Sequence, residues 1–155
     1  MNKLMTRCAA ILPLILCLPG LADARPTNRC TEDILRGDYV FTASGFTRPP
    51  ESKAGVPWVP KAIVEVLHFN GDGTLSTPLV TVANAFGDLG IITPPAPGAN
   101  GTYTINSDCS GQVTFSDMLG VAFTIVVDPP RGDTIWMIQK NPANNVFQGK
   151  AQRVQ

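Results

Sequence analysis

The chain is punctuated too often to build long helices. Its 155 residues carry 14 glycines and 14 prolines, and the apolar residues between them fall in short β-branched and aromatic runs bounded by turn signals. That is the pattern of an all-β domain. In order, the runs are Asp38 to Phe46, Lys61 to Phe69, Thr74 to Asn84, Gly101 to Asn106, Gln112 to Ser116, Val121 to Asp128, Thr134 to Lys140 and Val146 to Arg153. Eight strands are enough to close a small antiparallel barrel, with a two-sheet sandwich as the other all-β solution.

The connections support sequential antiparallel pairing. Asn70-Gly71-Asp72-Gly73 and Ser107-Asp108-Cys109-Ser110-Gly111 carry hairpin chemistry, and Asp128-Pro129-Pro130-Arg131-Gly132-Asp133 is a proline-initiated turn. Two connections are longer, Thr47 to Pro60 and the proline-rich stretch Ala85 to Asn100. Loops of that kind on a rigid barrel either border a mouth or are tolerated insertions. The one helical signal is a single turn at Thr31-Glu32-Asp33-Ile34-Leu35, with Thr31 placed to cap it and acidic residues following. It is expected to plug one end.

The N-terminus reads as an export signal. Lys3 and Arg7 precede an apolar run from Cys8 to Leu18, and Ala22-Asp23-Ala24 has the small-x-small form of a cleavage site. Pro13 and Pro19 bracket an apolar stretch shorter than the ~20 residues a spanning helix requires. Leu16 stands before Cys17, where a lipoprotein signal wants a small residue, which argues against a lipid anchor. Residues 1–24 are therefore expected to be removed and residues 25–155 to form one domain in a secreted or periplasmic setting. Cys8 and Cys17 leave with the signal, so Cys30 and Cys109 remain as a pair, expected to form a disulfide in an oxidising compartment. A loop of that length adds about 4 kcal/mol in the chain-entropy account. The remaining Lys and Arg are scattered singly, with no basic stripe for nucleic acid. No further segment has the length of a membrane span.

Four stretches carry a resemblance. Leu35-Arg36-Gly37-Asp38-Tyr39-Val40-Phe41, Leu67 through Ser76, Gly101 through Gly111, and Gly149-Lys150-Ala151 resemble, in order and spacing, a group of small secreted bacterial proteins of unestablished function. Their architecture is in turn similar to allene oxide cyclase-like and lipocalin-like barrels. The resemblance implies a barrel with an apolar interior suited to a lipid-like or aromatic molecule. It brings no catalytic residue and no cofactor. From the chain's own residues, Tyr39, Phe41, Leu67, Phe69, Trp58 and Tyr103 are the ones expected to bind such a molecule.

The strand from Ile63 to Phe69 holds the candidate chemistry, because strand side chains alternate between faces. Ile63, Glu65, Leu67 and Phe69 share one face, and Val64, Val66 and His68 the other. If the first faces inward, Glu65 is a carboxylate in an apolar interior, with the raised pKa that suits a general acid or base. The alternative leaves Glu65 in solvent or paired with a basic residue near a barrel end. A lone carboxylate is weak ground for catalysis and favours this alternative. His68 is the sole histidine, which excludes a multi-histidine metal site, and no Gly-x-Ser-x-Gly elbow accompanies it.

Other motifs yield to plainer explanations. Aligning Asn70 and Asp72 with a calcium loop puts His68 and Leu79 where carboxylates are needed, so the stretch is expected to be a hairpin and no metal is expected. Arg36-Gly37-Asp38 and Arg131-Gly132-Asp133 spell an adhesion tripeptide that also recurs by chance. Asn100-Gly101-Thr102 matters only in a glycosylating pathway. Trp58 stands in Val56-Pro57-Trp58-Val59-Pro60, as a cover over a ligand or a cap on the barrel. Three functions remain: a binding protein for a small apolar molecule, a cofactor-independent cyclase or isomerase using Glu65 on a lipid-like or polyketide-like substrate, and a surface-interaction protein. Association into oligomers through outward apolar residues such as Val64 and Val66 stays open.

Overall fold

A computed structural model of the chain describes residues 30–48, 55–84, 90–92, 101–116 and 120–154. Its strands are β1 (Arg36–Thr47), β2 (Val59–Asn70), β3 (Thr74–Asn84), β4 (Gly90–Ile92), β5 (Gly101–Ile105), β6 (Ser110–Phe115), β7 (Ala122–Val127), β8 (Thr134–Asn141) and β9 (Asn145–Arg153). All pair antiparallel. Hydrogen-bonded neighbours run β1-β9-β8-β7-β6-β5-β3-β2 and back to β1, which closes an eight-stranded barrel. The eight expected strands are present with ends shifted by a residue or two. The ninth, β4, lies in the long connection after β3, where three residues gave too short a run to stand out.

β4 has a place because β3 divides its partners. Near its start β3 pairs with β5 through Thr74 and Leu75 alone, and further along Val80 to Val82 pair with β4. A bulge also interrupts the β2–β3 ladder, with two residues, Thr77 and Pro78, set against Leu67. Pro78 has no N–H to leave unpaired at such a site. The bulge resets the alternation, so that Leu75 and Thr77 are buried, Pro78 and Leu79 exposed, and Val80 buried again.

Parity fills the interior. Tyr39, Phe41 and Ala43 from β1 meet Leu67 and Phe69 from β2, Val113 and Phe115 from β6, and Ile125 and Val127 from β7, all buried. The rings meet edge to face: Phe69 contacts Tyr39 at 5.2 Å and Tyr103 at 5.0 Å between centroids, and Phe123 contacts Phe41 at 5.7 Å and Phe147 at 5.6 Å. This is the favoured quadrupole geometry. β1 and β9 press together at two inward-facing glycines. A Cβ on Gly45 would lie 2.2 Å from the Val146 carbonyl oxygen, and one on Gly149 would lie 2.6 Å from Phe41 Cε2. The missing side chains let both strands coil tightly beside the aromatic interior.

The two ends differ. One is shut by the single 3₁₀ turn Glu32–Ile34, where the sequence places its one helical turn. The Tyr103 hydroxyl lies 2.8 Å from the Glu32 carbonyl oxygen and 3.1 Å from that of Leu35. The Tyr39 hydroxyl donates to the Gly132 carbonyl at 2.7 Å and accepts from Arg153 Nε and Nη2 at 3.0 and 2.7 Å, which meets its full hydrogen-bonding capacity. Burial pushes both tyrosine pKa values up, so both remain neutral donors. The Cys30–Cys109 disulfide, spanning 79 residues of sequence, pins the segment before the turn to the β5–β6 hairpin. The β2–β3 and β5–β6 turns at this end share one device. In each, an aspartate Oδ1 accepts the backbone N–H and hydroxyl of the residue two ahead, Asp72 from Thr74 and Asp108 from Ser110. Those bonds hold both carboxyls below the usual aspartate range.

Candidate functional site

Towards the opposite end of the barrel, a cavity of about 90 Å³ lies among the described residues. Its apolar wall is built by parity: Ile63 from β2, Val80 and Val82 from β3, Phe115, Val121 and Phe123 around the β6–β7 turn, and Phe147 from β9. Four polar residues interrupt that wall, Lys61 and Glu65 from β2, Gln139 from β8 and Asn145 from β9. Lys61, Ile63 and Glu65 lie two residues apart on the inward face of one strand.

The facing of Glu65 is settled by its neighbours. Val64 is 51% exposed while Leu67 and Phe69 are fully buried, and Glu65 itself is 5% exposed. The carboxylate therefore lies inside the barrel, opposite Phe41 on β1 and Val80 on β3. The solvent-facing alternative that the sequence favoured is not the one adopted, because β2 buries the face carrying its large residues Leu67 and Phe69.

Lys61 stands nearer the start of β2. Its stem runs along the wall and its ammonium donates to Asn145 Oδ1 at 3.0 Å, while Nζ lies 5.1 Å from the centroid of the Phe147 ring. A long cationic side chain reconciles an apolar stem with a polar head in this way. Burial lowers its pKa below 10.5. Across the barrel, Gln139 Nε2 donates to the Asn141 carbonyl at 2.8 Å, which fixes the amide orientation, since a flip would set two oxygens against each other. Its buried Oε1 has no hydrogen-bond partner among the described residues.

The other expected site residues are placed as follows. Tyr39, Leu67, Phe69 and Tyr103 pack the closed half of the barrel, and Phe41 joins the aromatic contacts below the cavity; none of the five lines it. Trp58, 39% exposed, lies against the outside of the wall, where it shares a shallow groove with Phe46 and Val146 and stacks on the Arg48 guanidinium at 4.7 Å. It does not cover the interior. His68 is outward, 2.6 Å from Asp38 across the β1–β2 ladder. In the second adhesion-like tripeptide, the Arg131 and Gly132 carbonyls bond Arg153 and Tyr39, and Asp133 lies 3.5 Å from Arg153, so the tripeptide secures the plugged end. Residues 49–54, 85–89 and 93–100 of the two long connections, and Asn100 with them, lie outside the described residues, as do residues 1–29. Among the described residues no three His, Cys, Asp or Glu side chains converge as metal ligands, and no helix is long and apolar enough to cross a membrane.

Lys61, Gln139 and Asn145 were not among the residues singled out from sequence. Parity would have found two of them, Lys61 from Glu65 and Gln139 from Ile135 and Met137.

The lowered Lys61 pKa has a definite sign. The unfolded chain holds that proton more tightly, so the burial cost is present below the folded pKa and is relieved as pH rises towards and past 10.5. The Lys61→Met variant should therefore have its greatest relative stability at neutral pH, with its difference from the parent moving in the parent's favour between pH 8 and 11. Urea titrations of both proteins across that range check this, and a pH-independent difference rejects it.

No protein-family model, curated protein or solved structure matches the chain.

Proposed function

We propose that this chain is an exported protein whose barrel binds a small, largely apolar molecule in the cavity at the end away from the plug. The observation that carries this reading is an apolar-walled cavity bordered by a few polar side chains, Lys61, Glu65, Gln139 and Asn145, beside an interior packed with aromatic and aliphatic residues. Binding pockets characteristically pair an apolar wall with a few polar groups that fix orientation. The volume sets the scale of the ligand. A dry engineered cavity of ~150 Å³ holds benzene, so 90 Å³ accommodates a molecule, or the end of one, of about four heavy atoms on the same scale. The signal-like N-terminus agrees with export, and the space is far smaller than a whole lipid needs.

Xenon tests the cavity directly, because it needs only dry apolar space. Titration should give a saturable shift of the Ile63 and Val82 methyl resonances, and Val82→Phe should abolish it. Unshifted methyls in the parent would reject the cavity as a binding site. Protein recovered outside the producing cells should begin at Arg25, and recovery of the intact N-terminus would reject export with cleavage.

A second reading has its own observation. Glu65 is an inward carboxylate bordering the same space, and on this reading it exchanges a proton with a bound molecule while the walls supply orientation. On this reading the protein is a cofactor-independent isomerase or cyclase of small substrates. Bound ligands in deuterium oxide should then exchange an acidic C–H for deuterium, at least ~100-fold more slowly in Glu65→Gln. Equal rates in the two proteins would remove Glu65 from the chemistry.

A further inference from the structure

We infer that Lys61 captures a short aliphatic aldehyde in the cavity, joining it as an imine at Nζ. This deepens the binding reading above, on which it rests, by naming the chemical class of the ligand.

The strand register explains how a lysine comes to face an apolar space. Lys61 lies opposite Gly45 on β1, and Gly45 lies opposite Phe147 on β9. A Cβ on Gly45 would stand 2.3 Å from the Phe147 Cβ, so β1 puts no side chain between the two and the lysine reaches across to β9. There Nζ donates to Asn145 Oδ1 at 3.0 Å and lies 5.1 Å from the Phe147 ring centroid. Asn145 and Phe147 line the cavity together with Lys61, so the nitrogen is held by residues of the cavity wall. Lys61 is half-buried rather than sealed, which leaves it open to a small molecule. Lys140 and Lys150 stand apart. The first is exposed, the second faces outward across from Trp136, and neither lines this space.

An amine in such a place is a nucleophile. Burial disfavours the ammonium and so raises the fraction of neutral amine above that of a lysine in water. An N–H given to Asn145 Oδ1 turns the lone pair of that neutral amine away from the oxygen. The lone pair adds to the carbonyl carbon of an aldehyde, and the carbonyl oxygen takes one nitrogen proton to become the hydroxyl of a carbinolamine. That hydroxyl leaves as water with the second nitrogen proton, and the nitrogen closes the C=N bond. One C=O is lost, one C=N is formed and one water is released, with no oxidant or reductant. The alkyl part lies against Ile63, Val82 and Phe123, and apolar walls slow the return of water to the imine. A carboxylate would add negative charge to a space Glu65 already borders, whereas an aldehyde adds none. The 90 Å³ of space limits the aldehyde to about four heavy atoms, the size of propanal.

Cyanoborohydride reduces the imine to a stable secondary amine, so mass spectrometry with peptide mapping reads the site. With propanal at neutral pH, Lys61 should gain a propyl group at least about 10-fold faster than Lys140 or Lys150. 2-Naphthaldehyde, too large for the cavity, should show no such preference, and this size comparison on the parent needs no variant. Val82→Phe fills the space and leaves the amine in place, and should bring the propanal rate at Lys61 down to that of the outward lysines. Lys61→Met should lose the fast label while xenon still shifts the Ile63 and Val82 methyls. If xenon enters but propanal labels Lys61 no faster than the outward lysines, or naphthaldehyde shows the same preference, capture in the cavity is overturned and the cavity stands. If xenon fails to enter the parent, the binding reading falls and the capture falls with it.

Discussion

The interior of an eight-stranded barrel is only wide enough for the side chains that point into it, and the identity of this protein's inward residues decides the rest of its structure. Alternation along each strand sends every second side chain into that space. Tyr39, Phe41, Leu67, Phe69 and Tyr103 use it up at one end. Where the walls carry valine and isoleucine with only Phe115, Phe123 and Phe147 between them, a cavity remains. The glycines at 45 and 149 belong to the same economy of space, because they bring β1 and β9 close enough for the Phe41 and Phe147 rings to share the interior.

This constraint makes the barrel asymmetric. The plugged end is fixed by several independent means: a disulfide, two buried tyrosine hydroxyls bonded to backbone carbonyls, an arginine reaching the Ile34 and Arg131 carbonyls, and two aspartate-braced turns. Each satisfies backbone groups that an irregular segment over a barrel end would otherwise leave buried and unpaired. The other end has polar groups of a different kind. Lys61, Glu65, Gln139 and Asn145 border an interior space, and a cationic side chain lying across an aromatic ring there is held by one hydrogen bond. One end is thus tied down by backbone hydrogen bonds, and the other keeps polar side chains beside an interior space.

Much of the fold was legible because its signals are local. The strand positions follow from alternation and turn residues, and the Asn-Gly-Asp-Gly turn from its need for positive φ, seen at Gly71 and Gly73. The disulfide followed from the two of four cysteines that lie beyond the signal-like N-terminus. β4 was not legible, since three residues beside half of β3 leave no periodic trace. The bulge at Thr77 and Pro78 was equally hidden, although the proline is its chemical mark. The candidate site was legible only in part. Glu65 drew notice as a charge in an apolar strand, yet Lys61, two alternations away, passed as an ordinary strand end, and Trp58 was expected near the interior but packs outside the wall.

The sequence by itself determined which residues must share a face, because that depends only on the two-residue repeat of an extended backbone. Which face is buried depends on how β2 pairs with β1 and β3 and on the volume the assembled barrel leaves. Those are properties of residues distant along the chain. Only the tertiary structure could therefore put Glu65 inside, bring Lys61 from β2 and Gln139 from β8 to the edge of one space, and leave that space unfilled.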